Sequence, residues 1–309
     1  MSDQAPINTH AQASYLEASA RQRLAGLFDA GSFVEFLPPA CRITSPHLGQ
    51  LDAPVSFDDG VAVGRARLGG AAVLVAAQEG AFMGGAVGEV HGAKLVGLLR
   101  RAVQEGANAV ILLLESGGVR LHEANAGLIA VSEVMRAVLD ARAAGVPVIT
   151  VAGGANGVFG GMGIVARCTN TIIMSEEARL AMSGPEVIET AAGVEEFDAR
   201  DRALVWRTTG GKHRYLLGDC QALVADSISA FRAAAITALA AAKQASSTLT
   251  LAGLEAEQAL LSERLERFGG ARDPIDIWRE LGVPKPQALP LMEAAAFVSA
   301  VDAVRMGGA

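Results

Sequence analysis

Between Asn108 and Leu128 the chain reads NAVILLLESGGVRLHEANAGL, and this stretch constrains the fold more than any other. Val110 to Leu114 are branched and apolar without a break. A run of that kind describes a strand buried on both faces, as in a parallel sheet. Ser116-Gly117-Gly118 follow, and then a segment, Leu121 to Ala144, with helical spacing. Two glycines leave backbone N–H groups that no Cβ shields. A helix start adds unpaired N–H groups at the positive end of its dipole. Such a corner is a seat for an oxygen atom that gains negative charge. A second corner of the same kind lies in VPVITVAGGANGVFGGMGIV, at Gly160-Gly161.

The rest of the chain can be placed around these corners. Residues 1–13 are polar and expected to be disordered. Ser14 to Leu27 follow a helical pattern, and residues 40–59 read as a long surface connection. Val61 to Leu68 and Ala71 to Ala77 form a predicted hairpin about Gly69-Gly70. GAFMGGAVGEVHG is a further glycine-rich corner, followed by a helix with Leu95, Leu98, Leu99, Ala102 and Val103 on one face. Short strands are expected at Val148 to Val151 and Thr171 to Met174, and Pro185 suits a first helical turn. VEEFDARDR, at 194–202, reads as a solvated face, and 246–309 as a largely helical C-terminal extension. Strand, glycine corner and helix recur three times at intervals of about 40 residues, which predicts an α/β fold with right-handed crossovers. No break in composition divides the chain, so one domain is expected.

Charge and cysteine usage narrow the function classes. A net charge of -7, with no basic cluster interleaved with aromatics, argues against a nucleic-acid groove. Cys41, Cys168 and Cys220 are far apart and form no C-x-x-C pair, so neither a zinc ribbon nor a disulfide framework is indicated. No metal site is expected. The N-terminus lacks a signal pattern, and no apolar run approaches the ~20 residues that span a bilayer, so a cytoplasmic, membrane-free protein is expected.

Three chemistries could use the corners. Gly161-Met162-Gly163-Ile164-Val165-Ala166 matches the dinucleotide pattern G-x-G-x-x-A, but that pattern should follow its strand at once, and here the strand ends near Ala152. Ser116 lies in E-S-G-G rather than G-x-S-x-G, which fits a helix cap better than a nucleophile. An oxyanion-hole enzyme acting on a thioester, in which backbone N–H groups do the main work, accounts for both corners. The plainer reading is that both are only tight turns.

The motifs FMGGAVGEVHGAK, ESGGVRLHEA, GVFGGMGIVA and SGPEVIE, in that order, resemble the carboxyltransferase branch of the crotonase superfamily. The likeness runs from about Leu24 to Phe231. SYLEASARQRLAGLFDAGSFVEF and HRYLLGDCQALVADSISAF draw it towards the β-subunit family of malonate decarboxylases. Departures from the wider branch are the lack of an N-terminal zinc module and of a biotin-carrier Met-Lys-Met.

The resemblance implies a crotonase-like (ClpP/crotonase) domain of repeated β-β-α units. It implies decarboxylation of malonyl-S-acyl carrier protein to the acetyl form through an enolate. Gly117, Gly118, Gly160 and Gly161 would form the oxyanion holes, with Ser116 and His213 as further catalytic residues and Gly84, Gly85 and Arg120 on the substrate side. Glu89, His91, Glu115, His122 and His213 are candidates to protonate the enolate. For each of the five a cap, surface or core role competes with that reading. Sites in this branch lie between two related domains, so a homologous γ subunit is the implied partner, together with the acyl carrier protein. The carrier's dephospho-CoA-derived arm would bring the substrate, with no cofactor bound directly. Two alternatives remain at this level: a subunit of a biotin-dependent acyl-CoA carboxylase, and a scaffold paralogue without activity.

Overall fold

In a computed structural model the described residues are 13–52, 60–242 and 249–306. The expectations of disorder at the N-terminus and of structure at 53–59, 243–248 and 307–309 lie outside them, apart from Ala13, whose carbonyl accepts from Ile228 N–H. The elements in chain order are α1 (Ala20–Leu27), β1 (Val34–Glu35), β2 (Val61–Leu68), β3 (Ala71–Gln78), α2 (Glu89–Glu105), β4 (Val110–Leu114) and α3 (Asn125–Ala143). They continue with β5 (Val148–Ala152), α4 (Gly161–Arg167), β6 (Thr171–Ser175), α5 (Pro185–Ala192), α6 (Arg202–Thr209) and α7 (Gly211–Leu216). β7 (Ala222–Val224), α8 (Ile228–Ala242), α9 (Leu251–Phe268), α10 (Pro274–Glu280) and α11 (Ala294–Val301) complete them.

The strands form one seven-stranded sheet in sequence order, antiparallel from β1 to β3 and parallel from β3 to β7. The hairpin between β2 and β3 turns on Gly69-Gly70, as the sequence predicts. β4 is buried at every position, as its apolar run requires. Val110, Leu112 and Leu114 face a core built with α2, α3 and α4. Ile111 and Leu113 face the opposite core, covered by α1 and α8. Each large side chain so buried contributes about 1.5–3 kcal/mol.

Some expectations change. The segment after the first glycine corner is not helical from Leu121: a 3-10 turn, Leu121–Glu123, precedes α3, which begins at Asn125. Ser116 therefore caps no helix. Val103 is exposed, while Leu95, Leu98, Leu99 and Ala102 are buried as expected. Within 194–202 Phe197 is buried. The edge strand β7 has only three residues, too few to show a period in sequence.

Candidate active site

Four loops leave the carboxyl ends of β3, β4, β5 and β6 and are stitched together by single bridges beyond the sheet. Val87 pairs with Val119, Ser116 with Val158, and Val158 with Leu180. These bridged residues are the second β of each β-β-α unit. Ser116 N–H donates to the Gly157 carbonyl and Phe159 N–H to the Ser116 carbonyl, both at 2.8 Å. On the other side Val87 N–H donates to the Gly118 carbonyl and Arg120 N–H to the Val87 carbonyl, both at 2.9 Å.

This ladder brings the two glycine corners into contact. A Cβ built on Gly160 would stand 3.0 Å from the Gly118 Cα. Gly160, at φ 59° and ψ -140°, is the N-cap of α4 and holds a conformation open to glycine almost alone. Gly118 also has positive φ, at 127°. Only the second corner opens directly into a helix.

The N–H groups divide unevenly. Gly117 N–H donates to the Gly84 carbonyl at 2.8 Å, and Gly160 N–H to the Met182 carbonyl at 2.9 Å. Gly118 N–H donates to Ser116 Oγ at 3.1 Å. Among the described residues, the N–H groups of Val119, Gly161 and Met162 carry no hydrogen bond. The Gly118 carbonyl and Arg120 N–H face Val87, so the alternation of an extended chain turns Val119 N–H the other way, towards the 158–161 segment. Val119 was not singled out from the sequence. Its neighbours in ESGGVR gave the signal, but the pairing that orients its N–H is visible only in three dimensions.

The side chains expected at the site have mixed fates. Buried Ser116 spends its hydroxyl closing the turn onto Gly118. Gly84 supplies an acceptor to Gly117, and Gly85 packs against the Glu115 backbone. Arg120 does not project as a carboxylate receptor. It is buried, ion-paired with Glu123 at 2.9 Å and hydrogen-bonded to the Ala86 carbonyl, so it ties the β3 and β4 loops together. Glu123 Oε2 also accepts from Glu89 N–H at the start of α2.

Of the proton candidates, Glu89 accepts from Ser45 Oγ and pairs with His47. Buried His91 bonds the side chain of Gln78 at 3.0 Å. Glu115 is ion-paired with Arg23 and accepts from Asn156. His122 stands exposed on the 3-10 turn. His213 is not brought to the corners. It lies buried on α7 and accepts from Trp278 Nε1 at 3.1 Å. Burial, with the Arg214 charge adding to it, pushes its pKa down to about 3, so the ring is neutral.

Near the corners several large apolar side chains are exposed. Met83, Leu121, Leu128, Ile129, Ile164 and Met182 are exposed, Leu121 at 83% and Met182 at 70%. Scattered exposed apolar side chains are ordinary, but several large ones around one site mark an interaction surface. Among the described residues no group of three or more His, Cys, Asp or Glu could hold a metal, and no helix is long and apolar enough to cross a membrane.

Residues 16–225 match the carboxyl transferase domain family. The chain is 42% identical over 306 residues to the malonyl-S-ACP:biotin-protein carboxyltransferase of Malonomonas rubra, covering 93% of this chain and 95% of that protein. It is similar to a chain of a Pseudomonas malonate decarboxylase hetero-tetramer solved with malonate: 43% identity, TM-score 0.70, 74% of this chain and 84% of that one. A chain of the Pseudomonas malonate decarboxylase hetero-dimer matches at 38% identity and a TM-score of 0.61, over 76% of this chain and 91% of that one. With its bridged β-β-α units and these relatives, the chain belongs to the carboxyl transferase domain family and has the crotonase fold.

Proposed function

We propose that the chain is a β-type subunit of a malonate decarboxylase and converts malonyl-S-acyl carrier protein to acetyl-S-acyl carrier protein and CO2. The observation that carries this reading is the meeting of the two corners at Gly118 and Gly160, each followed by an N–H group, of Val119 and of Gly161, without a hydrogen bond among the described residues; we infer that the two N–H groups flank one small space. The thioester oxygen takes that space. The bond between the α-carbon and the carboxylate breaks, CO2 leaves, and the electron pair moves onto the thioester as an enolate. The two N–H groups strengthen their hold as the oxygen becomes anionic, and the start of α4 adds its dipole at Gly161. The pair expected from the glycines alone becomes one donor from each corner: Val119 takes the place of Gly117 and Gly118, whose N–H groups are engaged in the turn. Gly160 supplies the conformation that presents Gly161. The glycines lining the site leave room for the thioester.

The exposed apolar rim supports a second, homologous γ subunit closing the site, in keeping with the heteromeric state of the Pseudomonas enzymes. The carrier's dephospho-CoA-derived arm enters between the two chains. Of the five side chains considered for the enolate proton, only His122 stands exposed at this rim.

A second reading has its own support. The Malonomonas rubra relative is a biotin-protein carboxyltransferase. In that reaction the same enolate forms, but the carboxyl group passes to biotin. Purified complex with its γ subunit, given malonyl carrier and no biotin protein, distinguishes the two. CO2 release that avidin does not inhibit supports the decarboxylase. Turnover that requires added biotin protein and stops with avidin overturns it.

A further inference from the structure

We propose that Glu115 is a positioning residue: its buried carboxylate holds the β5 loop in the shape that keeps the two N–H donors at their working separation. The inference rests on the oxyanion site proposed above. The ladder between β4 and β5 ends at Leu114 and Ala152, and the chains pair again at Ser116 and Val158. One residue, Glu115, spans that interval on the β4 side, and five residues, 153–157, span it on the β5 side. The longer segment must loop out, and the Glu115 carboxylate fills the loop. Its Oε1 accepts from the backbone N–H of Asn156 at 3.1 Å and from Asn156 Nδ2 at 3.2 Å. Its Oε2 is ion-paired with Arg23 of α1. A Cβ on Gly80 or Gly154 would overlap the carboxylate, so both neighbouring loops are shaped around it.

The grip reaches the donors through few bonds. Asn156 Nδ2 also donates to the Gly80 carbonyl at 3.0 Å, and Glu115 N–H donates to Gln78 Oε1 at 3.0 Å, so the β3, β4 and β5 loops share one anchor. Ser116 and Phe159, joined by the next bond of the ladder, lead directly to Val119 and Gly161. The sheet does not need this stitch, since β4 and β5 are already paired from Val110 and Val148 to Leu114 and Ala152. What the carboxylate fixes is the geometry beyond the sheet. Both of its oxygens are engaged, one by Arg23 and the other by Asn156, as a positioning role requires.

Two variants test the inference in the complex with the γ subunit. Asn156→Ala removes the side-chain bonds to Glu115 Oε1 and to the Gly80 carbonyl, which weakens the β5 side of the grip, and leaves the backbone N–H bond and the buried ion pair whole. Glu115→Leu combined with Arg23→Met removes both charges, so neither stays buried alone, and also removes the oxygen that accepts from Asn156. Both are compared with wild type for kcat and KM on malonyl carrier. They are also compared for affinity to the pantetheine analogue in which CH2 replaces sulfur and a carboxylate replaces the acetyl group, an oxyanion at the position of the thioester oxygen, against the neutral S-acetyl-pantetheine. Expected are unchanged KM and S-acetyl-pantetheine affinity, with kcat and oxyanion affinity both lower by about ten- to a hundredfold, the scale of a small misplacement. Folded variants whose kcat and oxyanion affinity stay within about twofold of wild type overturn the proposal, even if their melting temperature drops. A wild-type complex that prefers the oxyanion but releases no CO2 overturns the assigned reaction and leaves the positioning role to the two variants' oxyanion affinities. A wild-type complex with no such preference overturns both.

Discussion

The two glycine corners look alike in sequence and work differently in space. The corner after β4 uses its glycine N–H groups internally, on Gly84 and on Ser116 Oγ, and turns the next N–H, that of Val119, outward. The corner after β5 places a glycine in a rare conformation at Gly160 and then opens α4, so the first helical N–H groups remain open. One corner is a bent strand edge, the other a helix start. A double glycine therefore marks where backbones can approach closely, while the direction of each N–H decides which residue donates.

The largest effect should come from the helix-start corner. Gly161→Val drives a side chain into Val131 and displaces the first turn of α4. Loss of that donor should lower kcat by about a hundredfold to a thousandfold, with the γ subunit still bound. Steady-state CO2 release from the purified complex measures it, and a near-normal rate in a folded variant breaks the assignment of Gly161.

A smaller effect should separate the backbone site from the buried imidazole. His213→Asn keeps an acceptor near Trp278 and should leave turnover unchanged. It should alter the acid stability. The folded state holds His213 neutral with a pKa of about 3, against an ordinary 6.5. Between those values the unfolded chain binds a proton that the folded chain does not, so the stability fully present above pH 6.5 falls as pH drops towards 3. The slope is up to about 1.4 kcal/mol per pH unit. Urea unfolding at pH 7 and pH 5 should show a shallower loss in the variant. An unchanged slope, or a lost turnover, contradicts this placement of His213.

The smallest effect belongs to the other corner. Gly117 has ordinary φ, and an added Cβ would lie 3.4 Å from the Gly84 carbonyl. Gly117→Ala should therefore change kcat by no more than about twofold, because its N–H already serves the turn. A loss as large as that of Gly161→Val would mean that the two corners donate alike.

The contrast also shows what the sequence could carry. The apolar run of β4, the hairpin at Gly69-Gly70 and the place of both corners follow from period and turn chemistry, and the structure has them there. The partners of Arg120, Glu115 and His213 do not. Glu123 is only three residues from Arg120, but Arg23 is 92 residues from Glu115 and Trp278 is 65 from His213. Packing selects such pairs, and local pattern does not encode them. Buried, paired and neutral groups were thus indistinguishable beforehand from working acids and bases.

The covering of the sheet has a consequence for the order in which the protein can be made. The face that carries Ile111, Leu113, Ile149 and Val151 is closed by α1 and α8, the first and eighth helices. Asp226 reaches back to Leu16 N–H, and Arg232 to the Leu27 carbonyl and Asp29, across more than 200 residues. Helices α2 to α4 can settle on the opposite face while the chain is still growing. α1 lies over β2 and β3 and α8 over β5 to β7, so the β5 part of that face waits for residue 242 to leave the ribosome, and until then Ile149 and Val151 lack the α8 cover. At a synthesis rate of about 5–20 residues per second the interval from β5 to the end of α8 lasts several seconds or longer. Closure of that face is a non-local and late event, and it completes the footing on which Arg23 meets Glu115.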